Sequence, residues 1–497
     1  MMKSSQKDSE SRALPKFMVG LIVFVSATYV IYTLKLVTSP AGRCDDDPLF
    51  TATTVSANRL SNATELPPAI EANDSEWSVP GYERTELRHV AFGIAGSARL
   101  WENRKNYIKL WWKPAEMRGV VWLDSPLNES EAGDDLPHVK ISGNTDQFSY
   151  SNQQGLKLAI RISRIVSETF RLGLRNVRWF VMGDDDTFFV TQNLLTVLNK
   201  YDHNGYYYIG GNSESHLQNI YFSSSMAFGG GGFAISYPLA KAIEKFQDRC
   251  IQRYPGLFAS DDRMQACMAE LGVPLTREPG FHQFDVFGNL FGILAAHPVA
   301  PLVSMHHLDV VEPIFPNSTR VAALQRLQIP MGLDPSAIVQ QSICYDKEKK
   351  WTVSVSWGFA VQIIRGVLSP REVEMPARTF LNWYKKADFM AYSFNTRPVA
   401  RNPCQNPFIF YMSKARLDSL TNRTLTEYSK HRVPHLVCKW EMPDPADIDT
   451  VVVYKTPDPR LWDRAPRRNC CRMMESVRRG LLVLDVGLCM EGEVCEI

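Results

Sequence analysis

Charge of one sign is what this sequence most plainly lacks. Its 497 residues carry 55 basic and 53 acidic side chains, a net charge of +2. A balance that close supplies neither a stripe for nucleic acid nor an acidic tail. Repeats of fixed period and long low-complexity tracts are absent too. The ten cysteines include no paired C-x-x-C knuckles, so Cys470, Cys471, Cys489 and Cys495 read as disulfide partners in an oxidising compartment rather than as a zinc site. With 45% hydrophobic residues, 11 Trp, 25 Phe and 18 Tyr, the chain can build two globular domains with real cores.

One stretch lacks charge altogether. Residues 17–34, FMVGLIVFVSATYVIYTL, are long enough to cross a bilayer as a helix, and no A-x-A cleavage site follows them. Lys3, Lys7, Arg12 and Lys16 precede the segment, while Asp45, Asp46 and Asp47 come after it. That bias predicts a cytosolic tail over 1–16, a signal-anchor over 17–34 and a luminal remainder. Residues 35–85 are rich in Ser, Thr, Ala, Asn and Pro without sustained periodicity, as in a flexible stem. Five N-x-[ST] sequons, at Asn62, Asn73, Asn128, Asn317 and Asn422, all lie beyond the anchor. The outline is that of a type II membrane protein.

From residue 86 the pattern turns globular. LRHVAFGI reads as a buried strand, SARLWENRKNYIKLWW as a helix and GVVWLD as a second strand. Leu158, Ile162, Ile165 and Val166 follow at helical spacing, and VRWFVMG is a strand that runs into Asp184, Asp185 and Asp186. Strand alternating with helix predicts an α/β fold around a mostly parallel sheet, with ligands at the carboxyl ends of its strands. The three aspartates occupy such an end.

Adjacent carboxylates repel one another and resist burial unless a cation or hydrogen bonds compensate them. In an extended or turning backbone Asp184 and Asp186 point to one side and Asp185 to the other. Two oxygen ligands on one side suit Mg²⁺ or Mn²⁺; the competing reading is an exposed acidic turn. A phosphatase-type D-x-D-x-[TV] signature is excluded by Phe188. Downstream, the glycine run 229–232 in FGGGGFAIS lets backbone approach a ligand closely, or forms a mobile turn. FASDDRMQACMAELG reads as a helix with Ser260 as N-cap and Asp261 and Asp262 in its first turn, where carboxylates also simply complement the helix dipole. His306 and His307 follow a short apolar strand and can complete a metal site.

Strand-DDD, a glycine-rich strand, an acidic pair opening a helix and a terminal histidine, all behind an anchor and stem, resemble the fringe-like β-1,3-glycosyltransferases over residues 86–311. FGIAGSARLWENRKNYIKLWW and WDRAPRRNCCRM are similar to signatures of the plant fringe-related subgroup with a C-terminal domain of unknown function. The resemblance implies a GT-A fold, a UDP-sugar donor and inversion at the anomeric carbon. Asp184, Asp185 and Asp186 fall on the family's metal motif, with Asp186 as first ligand and Asp184 and Asp185 toward the donor. Asp262, or Asp261 as the alternative, falls on the catalytic base, and His306 or His307 on the metal-binding histidine. This chain departs from the pattern at Lys109, Leu110 and Gly183, where related transferases have Arg, Thr and an acidic residue.

The function expected is a Golgi type II glycosyltransferase, Mn²⁺- or Mg²⁺-dependent, acting from a UDP-sugar on a glycan or glycoprotein acceptor, with a homodimer possible. A catalytically inactive lectin or scaffold and a metal-dependent nucleotide-sugar hydrolase are the alternatives. The catalytic domain is expected over 86–312 and a β-rich accessory domain over 313–497. There WTVSVSWGFAVQII alternates strictly, placing Trp351, Val353, Val355, Trp357, Phe359 and Val361 on one core face, and DTVVVYKT and RGLLVLDVGLC read as further strands. Cys250 and Cys267 flank IQRYPGLFAS; a bridge between them would pin the loop leading into the acidic helix.

Overall fold

The apolar runs of the first half become β1 (Val90–Ala95), β2 (Arg118–Leu123), β3 (His138–Ile141), β4 (Trp179–Asp184), β5 (Phe188–Phe189), β6 (Tyr208–Gly210), β7 (Phe233–Ser236) and β8 (Leu275–Arg277). All but β5 join one seven-stranded sheet in the order β3-β2-β1-β4-β7-β6-β8. Strands β1 to β4 pair in parallel, whereas β7 runs antiparallel to both β4 and β6. The sheet is therefore mixed. The computed structural model describes residues 83–497 apart from 128–134, 387, 434–437, 440, 477 and 496–497. The apolar segment 17–34, nearly all of the stem and the sequons at Asn62, Asn73 and Asn128 lie outside the described residues. Among the described residues no helix is long and apolar enough to cross a membrane.

The period-two alternation of the strands feeds two cores, one on each face of the sheet. Ala91, Phe180 and Met182 pack on one side with Ile165 and Val166 of the helix Leu158–Phe170 and with Leu239 and Ile243 of the helix Tyr237–Arg253. Phe92, Val121 and Val181 pack on the other side with Trp101, Ile108 and Trp111 of the helix Trp101–Trp111.

Three short strands then carry the chain back across the end of β4. They are β9 (Phe281–His282), β10 (Val286–Gly288) and β11 (Ser304–Met305). Strand β11 lies between β5 and β9, with Met305 opposite Phe188, so residue 306 arrives beside the aspartate turn.

The second half is β-rich, as expected. Its strands are β12 (Gln341–Asp346), β13 (Trp351–Ser356), β14 (Ala360–Arg365), β15 (Phe380–Asn382), β16 (Phe408–Asp418), β17 (Arg423–Lys430), β18 (Thr450–Lys455), β19 (Cys470–Met474) and β20 (Leu481–Gly487). Eight of them form one sheet, β12-β13-β14-β16-β17-β18-β20-β19, while β15 pairs with β10. The single strand read over WTVSVSWGFAVQII is in fact a hairpin. Gly358 takes a φ of 76°, a left-handed conformation that glycine adopts without strain, and the chain reverses there. Val355 then sits opposite Val361 and Val353 opposite Ile363, so the apolar face continues across the turn and the alternation hides it. Trp351 and Trp357 are both core residues.

Disulfides join Cys250 to Cys267, as the sequence predicts, and also Cys344 to Cys471, Cys404 to Cys438 and Cys470 to Cys489. With Cys470, Cys471 and Cys489 so committed, a four-thiolate zinc site is ruled out; Cys495, expected as a fourth disulfide partner, is instead a free, exposed thiol.

Candidate active site

The aspartate turn is stapled before it meets any ligand. The Thr187 amide donates to the Asp184 carbonyl at 3.0 Å, and the Thr187 hydroxyl accepts from the Asp184 amide at 2.8 Å. That same hydroxyl donates to the Gly230 carbonyl at 2.7 Å, tying the turn to the glycine run. Gly230 is required by what lies above it, because a β-carbon there would overlap the His306 ring.

The three carboxylates take different environments. Asp185 accepts from Arg104 Nη1 at 2.7 Å and from the Ser97 amide at 3.1 Å. Burial pushes its carboxyl up to about 6 against the pull of Arg104. Asp186 is wholly buried, and neither of its oxygens has a hydrogen-bond partner among the described residues. The charges of Arg104 Nη1, at 3.2 Å, and His306 Nε2, at 3.3 Å, stand beside it. Burial works against its ionisation, but His306 and Arg104 outweigh that and hold the carboxyl below the usual range. Asp184 lies 3.6 Å from His306 Nε2 and keeps about a third of its side chain open to solvent. Asp184, Asp186 and His306 each offer a ligand atom within 4.8 Å of the others. Burial disfavours a charged His306, yet Asp186 and Asp184 carry it up to about 9, and its Nδ1 has no partner among the described residues.

His307 turns elsewhere. With a φ of 52°, it stacks on Trp383 at 4.6 Å and reaches Asp285 at 3.4 Å, away from the aspartate turn.

The acidic pair divides as well. The helix begins at Ser260 with Ala259 as its N-cap, one residue before the predicted cap. Asp262, the first-choice base, falls at the third helical position and folds back, accepting from the Phe258 amide at 2.8 Å and the Ala259 amide at 3.0 Å. Both oxygens are used in capping the helix. Asp261 instead lines a small cleft with Asp184, Gly183 and Gly229. Burial, then the charge of Asp184, pushes its carboxyl up to about 7. A β-carbon on Gly229 would come within 2.6 Å of Asp261 Oδ1, so this close approach also needs glycine.

Sequence reasoning missed Arg104 and Asp309. Arg104 Nη2 donates to Asp309 Oδ2 at 2.7 Å, so one guanidinium ties the aspartate turn to the segment after the histidines. Its one available signal was its place in the same helix as Lys109, whose ammonium pairs with Asp135 at 3.0 Å.

Residues 85–291 match the family model described as Fringe-like. Residues 218–471, about half of the chain, match the model described as a protein of unknown function, DUF604. The chain belongs to the fringe-like family that carries this domain of unknown function. No curated protein matches it. The fringe-like match contains the aspartate turn, the glycine run and the acidic pair, whereas His306 and His307 fall within the DUF604 match alone. Membership suggests a glycosyltransferase, and Asp184, Asp186 and His306 form a possible metal site.

Proposed function

We propose that this fringe-like protein is an inverting, metal-dependent glycosyltransferase that moves a hexose or N-acetylhexosamine from a UDP-sugar to a glycan or glycoprotein, in β-1,3 linkage. The observation that carries this reading is Asp186, a buried ionised carboxylate with no hydrogen-bond partner among the described residues, set against His306 and Asp184. Arg104 and His306 offset its charge, and its two unsatisfied oxygens, grouped with Asp184 and His306, suit a metal cation. Asp184, Asp186 and His306 would hold Mn²⁺ or Mg²⁺, which would supply charge neutralisation for a departing diphosphate. We read residues 86–312 as a GT-A catalytic domain and 313–497 as its accessory domain. Residues 17–34 would anchor them on the luminal side of the Golgi membrane.

Asp261 is the base in this scheme, in place of Asp262. It shares a cleft with Asp184, and its carboxyl is free of the helix amides that occupy Asp262. Asp261 accepts the proton of the acceptor hydroxyl as that oxygen attacks C1 of the sugar from the face opposite UDP. A carboxyl near 7 holds a proton well enough to take it and ionises well enough to be ready. Arg104 fixes Asp185 and Asp309, which keeps the turn in place while the ligand exchanges.

The test is UDP release by the full-length protein from a panel of UDP-sugars, with and without added glycans. Release that rises with an acceptor and disappears in Asp186→Ala, with the folded spectrum retained, supports transfer. Acceptor-independent release would make the protein a nucleotide-sugar hydrolase, and donor binding with no release would make it a lectin or scaffold.

A further inference from the structure

One face of the eight-stranded sheet carries a row of polar residues in β13 and β14, interleaved with Ile364 and Ile409. In β13 the alternation that buries Val353 and Val355 in the apolar core turns Thr352, Ser354 and Ser356 the other way. Pairing carries that face from Ser354 to Gln362 in β14 and on to Ile409 in β16. Residues from the covering segment, Leu368 to Asn406, close over it and leave a cavity of about 700 Å³. None of the aspartate-turn residues lines this cavity.

Its walls are unfinished. Gln362 is 4% exposed, and its Oε1 has no hydrogen-bond partner among the described residues. Asn406 Oδ1 and Arg397 Nε, on the opposing segment, are buried and unpartnered in the same sense. Native proteins satisfy nearly all such groups, so three around one cavity call for a ligand that completes them. The charge is one-sided: Arg365, Arg397 and His431 line the cavity, and no Asp or Glu does among the described residues. Arg365 is engaged by the Asp444 carboxylate and the Cys404 carbonyl. Arg397 has no ion pair among the described residues; Glu372 acts on it only through its field. Tyr411 and His431 meet edge to face at 5.4 Å and give the cavity an aromatic wall.

The occupant must therefore bring an anion for a guanidinium and donors for two amide oxygens, on a body that packs against rings. We propose that this cavity binds an acidic sugar residue of a glycan chain, a uronate, with its carboxylate on Arg397 and its ring hydroxyls donating to Gln362 and Asn406. Choosing a sugar over an acidic peptide rests on the transferase reading of the first domain. The site would hold a glycan at a place separate from the aspartate turn.

Calorimetric titration of the full-length protein tests this with three probes: a galacturonic-acid trisaccharide, the neutral galactose trisaccharide and a penta-glutamate peptide. The acidic trisaccharide should bind at least about tenfold tighter than the neutral one. Arg397→Gln should weaken it by about tenfold or more, and Gln362→Met by about fivefold. Asn406→Asp, at a half-buried position that tolerates change, should weaken it by like-charge repulsion even if Arg397→Gln does not fold. Binding should persist in Asp186→Asn, which separates this site from the transferase reading, because transfer can fail while uronate binding stands. Equal affinity for acidic and neutral sugar, preference for penta-glutamate, or wild-type affinity in all folded variants would overturn the proposal.

Discussion

Exchanging Asp261 for Asn should damage catalysis and strengthen the fold. The amide keeps the shape of the side chain and its contact with the Ser260 hydroxyl, 3.1 Å away. It cannot accept a proton, so turnover should fall by about a hundredfold or more while donor affinity stays unchanged. Stability should move in the opposite direction. Burial and Asp184 raise the Asp261 carboxyl from 3.8 to about 7, so across that window the folded chain binds a proton that the unfolded chain has lost. Wild-type stability from this group is therefore highest below pH 4 and is lost as pH rises toward 7. Three units correspond to a ceiling of about 4 kcal/mol; partial exposure and the Ser260 hydrogen bond reduce this to about 1–2 kcal/mol. Asp261→Asn should thus melt above wild type at pH 8 and with it at pH 4. Asp262→Asn should do the reverse. Loss of its charged contacts to the Phe258 and Ala259 amides should cost about 1–2 kcal/mol, with transfer kept within about threefold. UDP-release kinetics and melting curves at both pH values decide the matter. If Asp262→Asn abolishes transfer and Asp261→Asn leaves it intact, the base assignment is wrong. Full transfer by both would remove the proposed mechanism.

Two further perturbations probe the frame around the site. Gly230→Ala should force the His306 ring out of its place, weakening Mn²⁺ binding by about tenfold or more in a direct metal titration, for about 1–3 kcal/mol of lost stability; unaltered Mn²⁺ affinity would show that His306 is not a ligand. Lys455→Met should cost about 3–5 kcal/mol in denaturant unfolding, because it strands Asp334, whose Oδ2 lies 2.5 Å from Lys455 Nζ with both side chains about 1% exposed; a loss below about 1 kcal/mol would mean that water reaches the pair.

Local pattern carried the first half of the fold well. The run-in of β4 to the aspartates, the helices on either side and the Cys250–Cys267 bridge all follow from periodicity and spacing within a few tens of residues. What pattern could not carry was a difference of one residue. Asp261 and Asp262 sit side by side, and an N-cap at Ala259 rather than Ser260 is what puts Asp262 at the third helical position, where its carboxylate folds back on the cap amides. Boundaries are where sequence signals are weakest, and adjacent helical side chains point about 100° apart, so a one-residue shift changes which groups each carboxylate can reach. The hairpin at Gly358 was hidden for a related reason: its register puts Val355 opposite Val361, so a turn and a straight strand give the same alternation. Arg104, Asp309 and the cavity around Gln362 depend on contacts between distant segments, which no local window contains.

Those distant contacts bear on how far the two sheets can be treated as separate machines. Strand β10, inside the fringe-like match, takes β15 as its partner from beyond it, with Val286 opposite Asn382. Trp383 follows directly and stacks on His307, the neighbour of the histidine in the metal cluster. On another side Asn193 donates to the carbonyls of both Leu302 and Pro335, at 2.9 Å each, joining the helix after β5 to the segment that leads into β12. Residue 306 is thus positioned by β5 and β9 from one half, while its neighbour His307 is backed by a tryptophan from the other. The two family matches overlap over residues 218–291, which include β9 and β10 but not His306 or His307. A cut after residue 312 would follow the change in composition, but it would take Trp383 away from His307 and leave β10 as an unpaired edge, so that side of the candidate site depends on residues beyond the cut.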